Sequence, residues 1–389
     1  MKKAIPQRES LRQAHRLVIK IGSHALIQRN GRPDLPRMRA LVREMAALHQ
    51  AGREVILVSS GAIGAGLHAL GLRARPDNLP DLQMAAAVGQ TRLISRYSAL
   101  FARERCRIGQ VLLTHDDLRD RVRHLNARNT LMNLLRRRIV PVVNENDVVS
   151  VDEIKFGDND LLASRVAMLT DADLLILLST VDGFRRTVAG GRRTRRVAHL
   201  ETVPDDLLAT VAGAGGAFST GGMRSKLAAA RDFTELGRLA VIANGRKPRV
   251  LERILAGEDE GTLIGDASVR STGGSRKRWI GFFHKTRGAV IIDEGARRAV
   301  EQLGKSLLPA GILDVEGDFP MGAVIQVRSA AGSVVAHGLT EYSSEDIRRI
   351  RGRKTTEIEA LLGTKDYDEV IHRDHMLVAT RSRSEPPAV

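Results

Sequence analysis

The sequence predicts an α/β protein, with a mostly parallel sheet sandwiched by helices and a small, mainly β C-terminal domain. Three observations predict it. Short apolar runs alternate with stretches of helical periodicity from Arg16 to Asn244, the pattern of a parallel sheet covered on both faces. Small polar clusters follow several runs, at Gly22-Ser23, Ser59-Ser60-Gly61 and Asn144-Glu145-Asn146-Asp147. In such sheets ligands bind at the carboxyl ends of strands. After about Gly265 the chain changes to short β-like runs split by Gly-rich turns.

The elements follow in order. RLVIKI (16–21) reads as a buried strand ended by Gly22-Ser23. Residues 38–49 put Met38, Leu41, Val42, Met45 and Leu48 at helical spacing. REVILVSS (53–60) is a second strand that runs into GAIGAG. A long helix is expected over 81–105, a third strand at IGQVLL (108–113), a helix over 124–137 and a fourth strand at IVPVVN (139–144). A polar loop with a hairpin leads to EIKFGDNDLLAS (153–164) and its helix. DLLILL (173–178) is a fifth strand. The loop GAGGAFSTGGMRSK (213–226) feeds a helix to Leu236, and LAVIAN (239–244) is a sixth strand. AVII (289–292), AVIQVR (323–328) and SVVAHGL (333–339) read as strands of the second domain. The expected division is a basic N-terminal extension (1–14), an α/β domain (15–267), a linker (268–284), a β domain (285–376) and a disordered tail (377–389).

A length of 389 residues fits two domains. The net charge of +16 raises a nucleic-acid reading. Its placement argues otherwise: residues 268–389 hold 19 basic and 16 acidic residues, so the excess sits in the larger part, in surface-like runs such as 136–138 and 192–196. With three Tyr, eight Phe and one Trp, stacking platforms for single strands are scarce. The lone Cys106 excludes an internal disulfide. The start, MKKAIPQRESLRQAH, is basic but lacks the apolar core of a secretory signal. No apolar stretch approaches the ~20 residues of a membrane helix. A cytoplasmic protein without membrane contact is expected.

Of 61 basic residues, 11 are Lys and the remaining 50 are Arg. Where Arg is the default, a retained Lys is informative, because Lys is a compact, mobile point charge. Lys20, Lys155 and Lys226 each lie beside glycine and small polar residues. In STGGMRSK (219–226), Gly221 and Gly222 precede a helix, whose N-terminus suits an anion. Taken alone this is a common helix entry, and it is not a GxxxxGK[ST] loop. A strand-end Lys20 alone reads as a side chain reaching for water. In KFGDND, Gly157 supplies a bend, while Asp158, Asn159 and Asp160 suit a helix N-terminus. Taken together they suit more. Two lysines on two strand-edge loops suit a clamp on a transferring phosphoryl group, where positioning and charge neutralisation do most of the work. Asp160 is placed to hold both ammonium groups. Mg²⁺ would bridge the nucleotide phosphates, a metal that needs few protein ligands.

VIKIGS, VSSGAIGAG, NENDVV, KFGDND and STGGMRSK, in that order, resemble the glutamate 5-kinases of the amino acid kinase family. IDEGA (292–296), SLLPAGI (306–312), AHGL (336–339) and HRDHM (372–376) resemble the PUA domain that bacterial members carry. The resemblance runs from about Leu17 to Met376. It implies the amino acid kinase fold and ATP-dependent phosphorylation of the γ-carboxylate of L-glutamate, the first step of proline synthesis. Lys20 and Lys226 would stabilise the γ-phosphoryl group, and Asp160 would organise them. Ser60, Asp147 and Asn159 would bind glutamate. Ser179, Thr180 and the run Thr220, Gly221, Gly222, Met223, Arg224, Ser225 and Lys226 would line the ATP site, with Lys20 reaching into it. No protein metal ligand is implied beyond Mg²⁺ carried with ATP. Proline as feedback inhibitor and a dimer or tetramer are further implications. The chain departs from the family at Thr180, where an acidic residue is common, and at FRRT (184–187). The rival readings are another kinase of this fold acting on carbamate, aspartate, N-acetylglutamate or UMP, an RNA-binding protein acting through the PUA domain, and an inactive scaffold. The near-neutral second domain disfavours RNA, and the intact Lys20, Asp160 and Lys226 disfavour a scaffold.

Overall fold

A computed structural model describes residues 6–26, 34–72, 74–149, 159–187, 194–211, 222–266, 286–365 and 367–378. The chain divides into two compact units, Met1–Ser271 and Thr272–Val389.

The first unit is built on an eight-stranded sheet. In chain order its strands are β1 (Arg16–Ile21), β2 (Glu54–Ser59), β3 (Arg107–Leu113), β4 (Ile139–Glu145), β5 (Leu174–Ser179), β8 (His199–Leu200), β9 (Leu239–Asn244) and β10 (Thr262–Ile264). β6 (Arg185–Thr187) and β7 (Thr194–Arg196) form a separate hairpin. The spatial order is β3-β4-β2-β1-β5-β9-β10-β8. All pairs from β3 to β9 are parallel, whereas β10 runs antiparallel to β9. Leu17, Val18, Ile19, Leu175, Ile176 and Leu177 are fully buried. That is why these strands read as unbroken apolar runs rather than alternating ones. From β1 the chain goes to β2 on one side and later to β5 on the other. The strand order therefore reverses beside β1, which opens a crevice at the carboxyl ends there.

The helices Leu35–Gln50, Leu79–Arg103, Arg121–Arg136, Asn159–Leu169 and Met223–Thr234 stand where the periodicity places them, within a few residues. One more helix, Ala62–Leu70, begins within GAIGAG, a stretch to which the sequence reading assigns no element. Its glycine serves packing. A Cβ on Gly66 would lie 1.7 Å from the Ala85 carbonyl oxygen, and one on Gly89 would lie 1.7 Å from that of Ala62. The two helices therefore cross backbone to backbone.

The N-terminal segment is tied to this unit. Arg8 is buried and donates to the carbonyls of Ala198, Glu258, Glu260 and Gly261 at 2.7–3.1 Å. Leu11 joins the main core. Strands β8 and β10, and the β6–β7 hairpin, are too short to show periodicity.

The second unit holds a five-stranded sheet, β12-β11-β13-β14-β15, formed from β11 (Ala289–Ile292), β12 (Ile312–Glu316), β13 (Val324–Ser329), β14 (Val334–Leu339) and β15 (Met376–Val378). Its own core gathers Val290, Ile325, Val327, Ile347 and Ile371. The helices Glu294–Glu301 and Ser344–Ile350 accompany the sheet.

Candidate active site

Three elements bring one carboxylate and two ammonium groups together. Lys20 is the penultimate residue of β1, Asp160 the second residue of the Asn159–Leu169 helix, and Lys226 lies in the first turn of the Met223–Thr234 helix. Lys20 Nζ lies 2.6 Å from Asp160 Oδ1, and Lys226 Nζ lies 2.8 Å from Oδ2. Ser225 Oγ is 3.2 Å from Oδ2. Burial alone would push the Asp160 carboxyl up, but the two ammonium groups outweigh it and hold the group below its ordinary value. The Asp160 side chain is 0% exposed and those of the lysines 6% and 7%. Two positive charges and one negative charge are thus taken out of water together. Among the described residues of the cluster positive charge is in excess, the kind of field that seeks an anion.

A second cluster stands on the β2–β4 side. Asn159 Nδ2 lies 3.0 Å from the Ser59 carbonyl oxygen, 2.8 Å from Ser60 Oγ and 2.9 Å from Asn144 Oδ1, and donates among the three. Asn144 Nδ2 in turn donates to Gln90 Oε1 at 2.7 Å. Asn159 Oδ1 is buried and accepts nothing from the described residues. Below this cluster Ser59 Oγ and Tyr97 OH are 2.9 Å apart. Burial pushes the Tyr97 phenol up to about 12, so it stays neutral. Asp147 stands two residues beyond β4 and is half-buried.

The other side of the lysines is formed by the ends of β5 and β9. Ser179 is the last residue of β5 and pairs in register with Asn244. Gly22 N–H donates to the Leu178 carbonyl at 3.2 Å, which seals β1 against β5. Thr180 is exposed. Two residues on, Asp182 accepts from Asn244 Nδ2 at 3.0 Å. That hydrogen bond is the main reason its carboxyl is held below the ordinary range, with Lys247 adding to it. Gly222, extended at the helix entry, brings no side-chain cap, so the first turn keeps N–H groups for an anion. His24 is half-buried, and burial with Arg246 and Lys226 nearby lowers its basicity.

Residues 15–244 match the profile of the amino acid kinase family, and residues 288–362 that of the PUA domain. The chain is 45% identical over 372 residues to the Glutamate 5-kinase of Moorella thermoacetica, covering 95% of this chain and 98% of the relative. The chain belongs to the amino acid kinase family, in its glutamate 5-kinase branch. The Glutamate 5-kinase of Caldanaerobacter subterraneus is 46% identical over 94% of this chain and 98% of its own length. That of Syntrophotalea carbinolica is 44% identical over 96% of this chain and 99% of its own length.

The expectations drawn from this family sort cleanly. Lys20, Asp160 and Lys226 meet, Ser60 and Asn159 meet, and Ser225 touches Asp160. Ser179, Thr180, Gly222, Met223 and Arg224 are described on the β5 and helix-entry side. Lys155, Gly157, Asp158, Thr220 and Gly221 lie outside the described residues. Sequence reasoning assigned no role to Asn144, Gln90 or Asp182. Asn144 stood inside the quoted NEND motif and could have been found there. Gln90 is one polar residue on a helix and gave no signal.

Proposed function

We infer that this protein transfers the γ-phosphoryl group of ATP to the γ-carboxylate of L-glutamate, giving glutamate 5-phosphate and ADP, the first step of proline synthesis. One observation carries the reading: a buried carboxylate bridging two buried lysines at the sheet's carboxyl edge, in a chain of this family. A carboxylate oxygen of glutamate attacks the γ-phosphorus while the bond to the β-bridging oxygen breaks. The nucleophile is already ionised at neutral pH, so no general base is needed. Lys20 and Lys226 neutralise charge on the γ-phosphoryl oxygens from two sides. Asp160 fixes their ammonium groups and cannot wander, because both of its oxygens are engaged.

Ser60, Asn159 and Asp147 form the glutamate side in this reading. The nucleotide side comprises Ser179, Thr180 and residues 220–226. Asp160, bound to two ammonium groups, is no free metal ligand. The donor set therefore fits Mg²⁺ carried on the nucleotide phosphates, where it would neutralise the β- and γ-oxygens. No described helix is long and apolar enough to cross a membrane, and a cytoplasmic enzyme is part of the proposal. So are inhibition by proline at the glutamate side and a homo-oligomer. The test is ADP release with Mg-ATP in hydroxylamine, which traps the acyl phosphate, with glutamate run beside aspartate, N-acetylglutamate, carbamate and UMP. Glutamate-dependent hydroxamate, suppressed by proline, supports the proposal. Turnover only with another acceptor overturns the substrate.

A further inference from the structure

We propose that Gln90 and Asn144 are a positioning relay that holds Asn159 Oδ1 as the acceptor offered to the substrate, so that the site selects a free α-ammonium. The proposal rests on the reading above that Ser60 and Asn159 border glutamate.

A side-chain amide carries a donor at one end and an acceptor at the other, and a half-turn exchanges them. Two neighbours decide how Asn159 stands. The Ser59 carbonyl can only accept, so it faces Nδ2. Asn144 also presents its oxygen to Nδ2, but only because its own Nδ2 is spent on Gln90 Oε1. The Ser60 hydroxyl can give or take and decides nothing. Gln90 therefore sets Asn144, and Asn144 helps to set Asn159. The helix that carries Gln90 is placed by the residue before it, since Gly89 lets the backbone meet Ala62.

This arrangement leaves Asn159 Oδ1 buried and accepting nothing from the described residues. A buried acceptor without a donor is costly. A γ-carboxylate brings no donor at neutral pH. The α-ammonium is the donor that glutamate carries and that glutarate, otherwise alike, lacks.

Calorimetric binding of glutamate and of glutarate, on the full chain, tests the relay in wild type, Gln90→Met and Gln90→Glu. Met matches Gln in length but accepts little. Glu keeps an oxygen for Asn144 Nδ2. The relay predicts that Gln90→Met weakens glutamate about tenfold, the loss of one net hydrogen bond, and leaves glutarate and the ATP KM unchanged. Gln90→Glu keeps most of the glutamate affinity. If Gln90→Met melts below the assay temperature, Gln90→Leu replaces it. Wild-type affinity in the Met variant overturns the relay. So does a parallel loss for glutarate, or a loss in Gln90→Glu equal to that in Gln90→Met. Absence of glutamate binding by the wild type overturns the acceptor reading itself, and the relay falls with it.

Discussion

Two buried carboxylates in the first unit each bridge two cations, and they differ in how far those cations reach water and other partners. Asp160 lies between Lys20 and Lys226, all three essentially out of water. Glu260, whose side chain is 1% exposed, lies 2.8 Å from Lys247 Nζ and 2.8 Å from Arg253 Nη1, but those cations are 35% and 37% exposed. At Glu260 the cations are half-solvated and have further carboxylate partners, Asp182 at 3.4 Å from Lys247 and Glu258 at 2.8 Å from Arg253, and the cluster ties the helix Val250–Leu255 to the residues just before β10. At Asp160 the two cations are enclosed, at the crevice where strand order reverses. A buried carboxylate with two cations is thus not a catalytic sign by itself. The desolvation of the cations separates a phosphoryl clamp from a structural tie. Lys247 also shows that a Lys in an Arg-rich chain does not mark a catalytic centre unaided.

The largest expected effect sharpens this contrast. Asp160→Asn takes the shared counter-charge away from two enclosed ammonium groups. It should lower unfolding stability by about 3–5 kcal/mol and abolish turnover. Glu260→Gln should cost less stability, because its cations can turn to water, and should keep kcat. Urea unfolding and steady-state rates on both variants check this. Equal losses in both assays would break the comparison.

Acidification tests the Asp160 site in a second way. The Asp160 carboxyl is held below its ordinary value of 3.8 by the two lysines. Its contribution to stability is therefore present above pH 3.8 and is lost as pH falls through the lower folded value. Stability followed against pH should show this loss in wild type and not in Asp160→Asn. A loss that begins well above pH 4 and is absent from Asp160→Asn would contradict the assignment.

Smaller effects belong to the clamp around Glu260. Arg8→Met removes the donor shared by four carbonyls. It should cost about 2 kcal/mol with kcat intact. Arg253→Met, which breaks a half-solvated pair, should cost about 1 kcal/mol. Thermal melting beside activity reads both, and a fall in kcat would join this region to the chemistry.

The contrast also shows how far the sequence could be read. Strands β1, β2, β4, β5 and β9 were legible because burial on both faces makes them continuous apolar runs, whereas β3, a partly exposed edge strand, was legible from the run IGQVLL. Lys20, Asp160 and Lys226 were legible because each adjoins a glycine or cap motif. Glu260 was not, since its partners come from a short helix and a loop without periodicity. The helix Ala62–Leu70 was hidden because GAIGAG shows little apolar periodicity; its Gly66 stands where two backbones touch. Gln90 was invisible because its importance lies in the orientation of another amide. The docking of Arg8 was hidden because residues 1–14 read only as a basic extension.

The most direct test of the central claim is the rate of glutamyl hydroxamate formation in wild type, Lys226→Met and Arg253→Met, with ATP and glutamate binding measured on each. The enclosed-clamp account predicts that Lys226→Met loses roughly 10²–10³-fold in kcat while still binding glutamate, and that Arg253→Met keeps the wild-type rate. A Lys226→Met enzyme that turns over like wild type would contradict it.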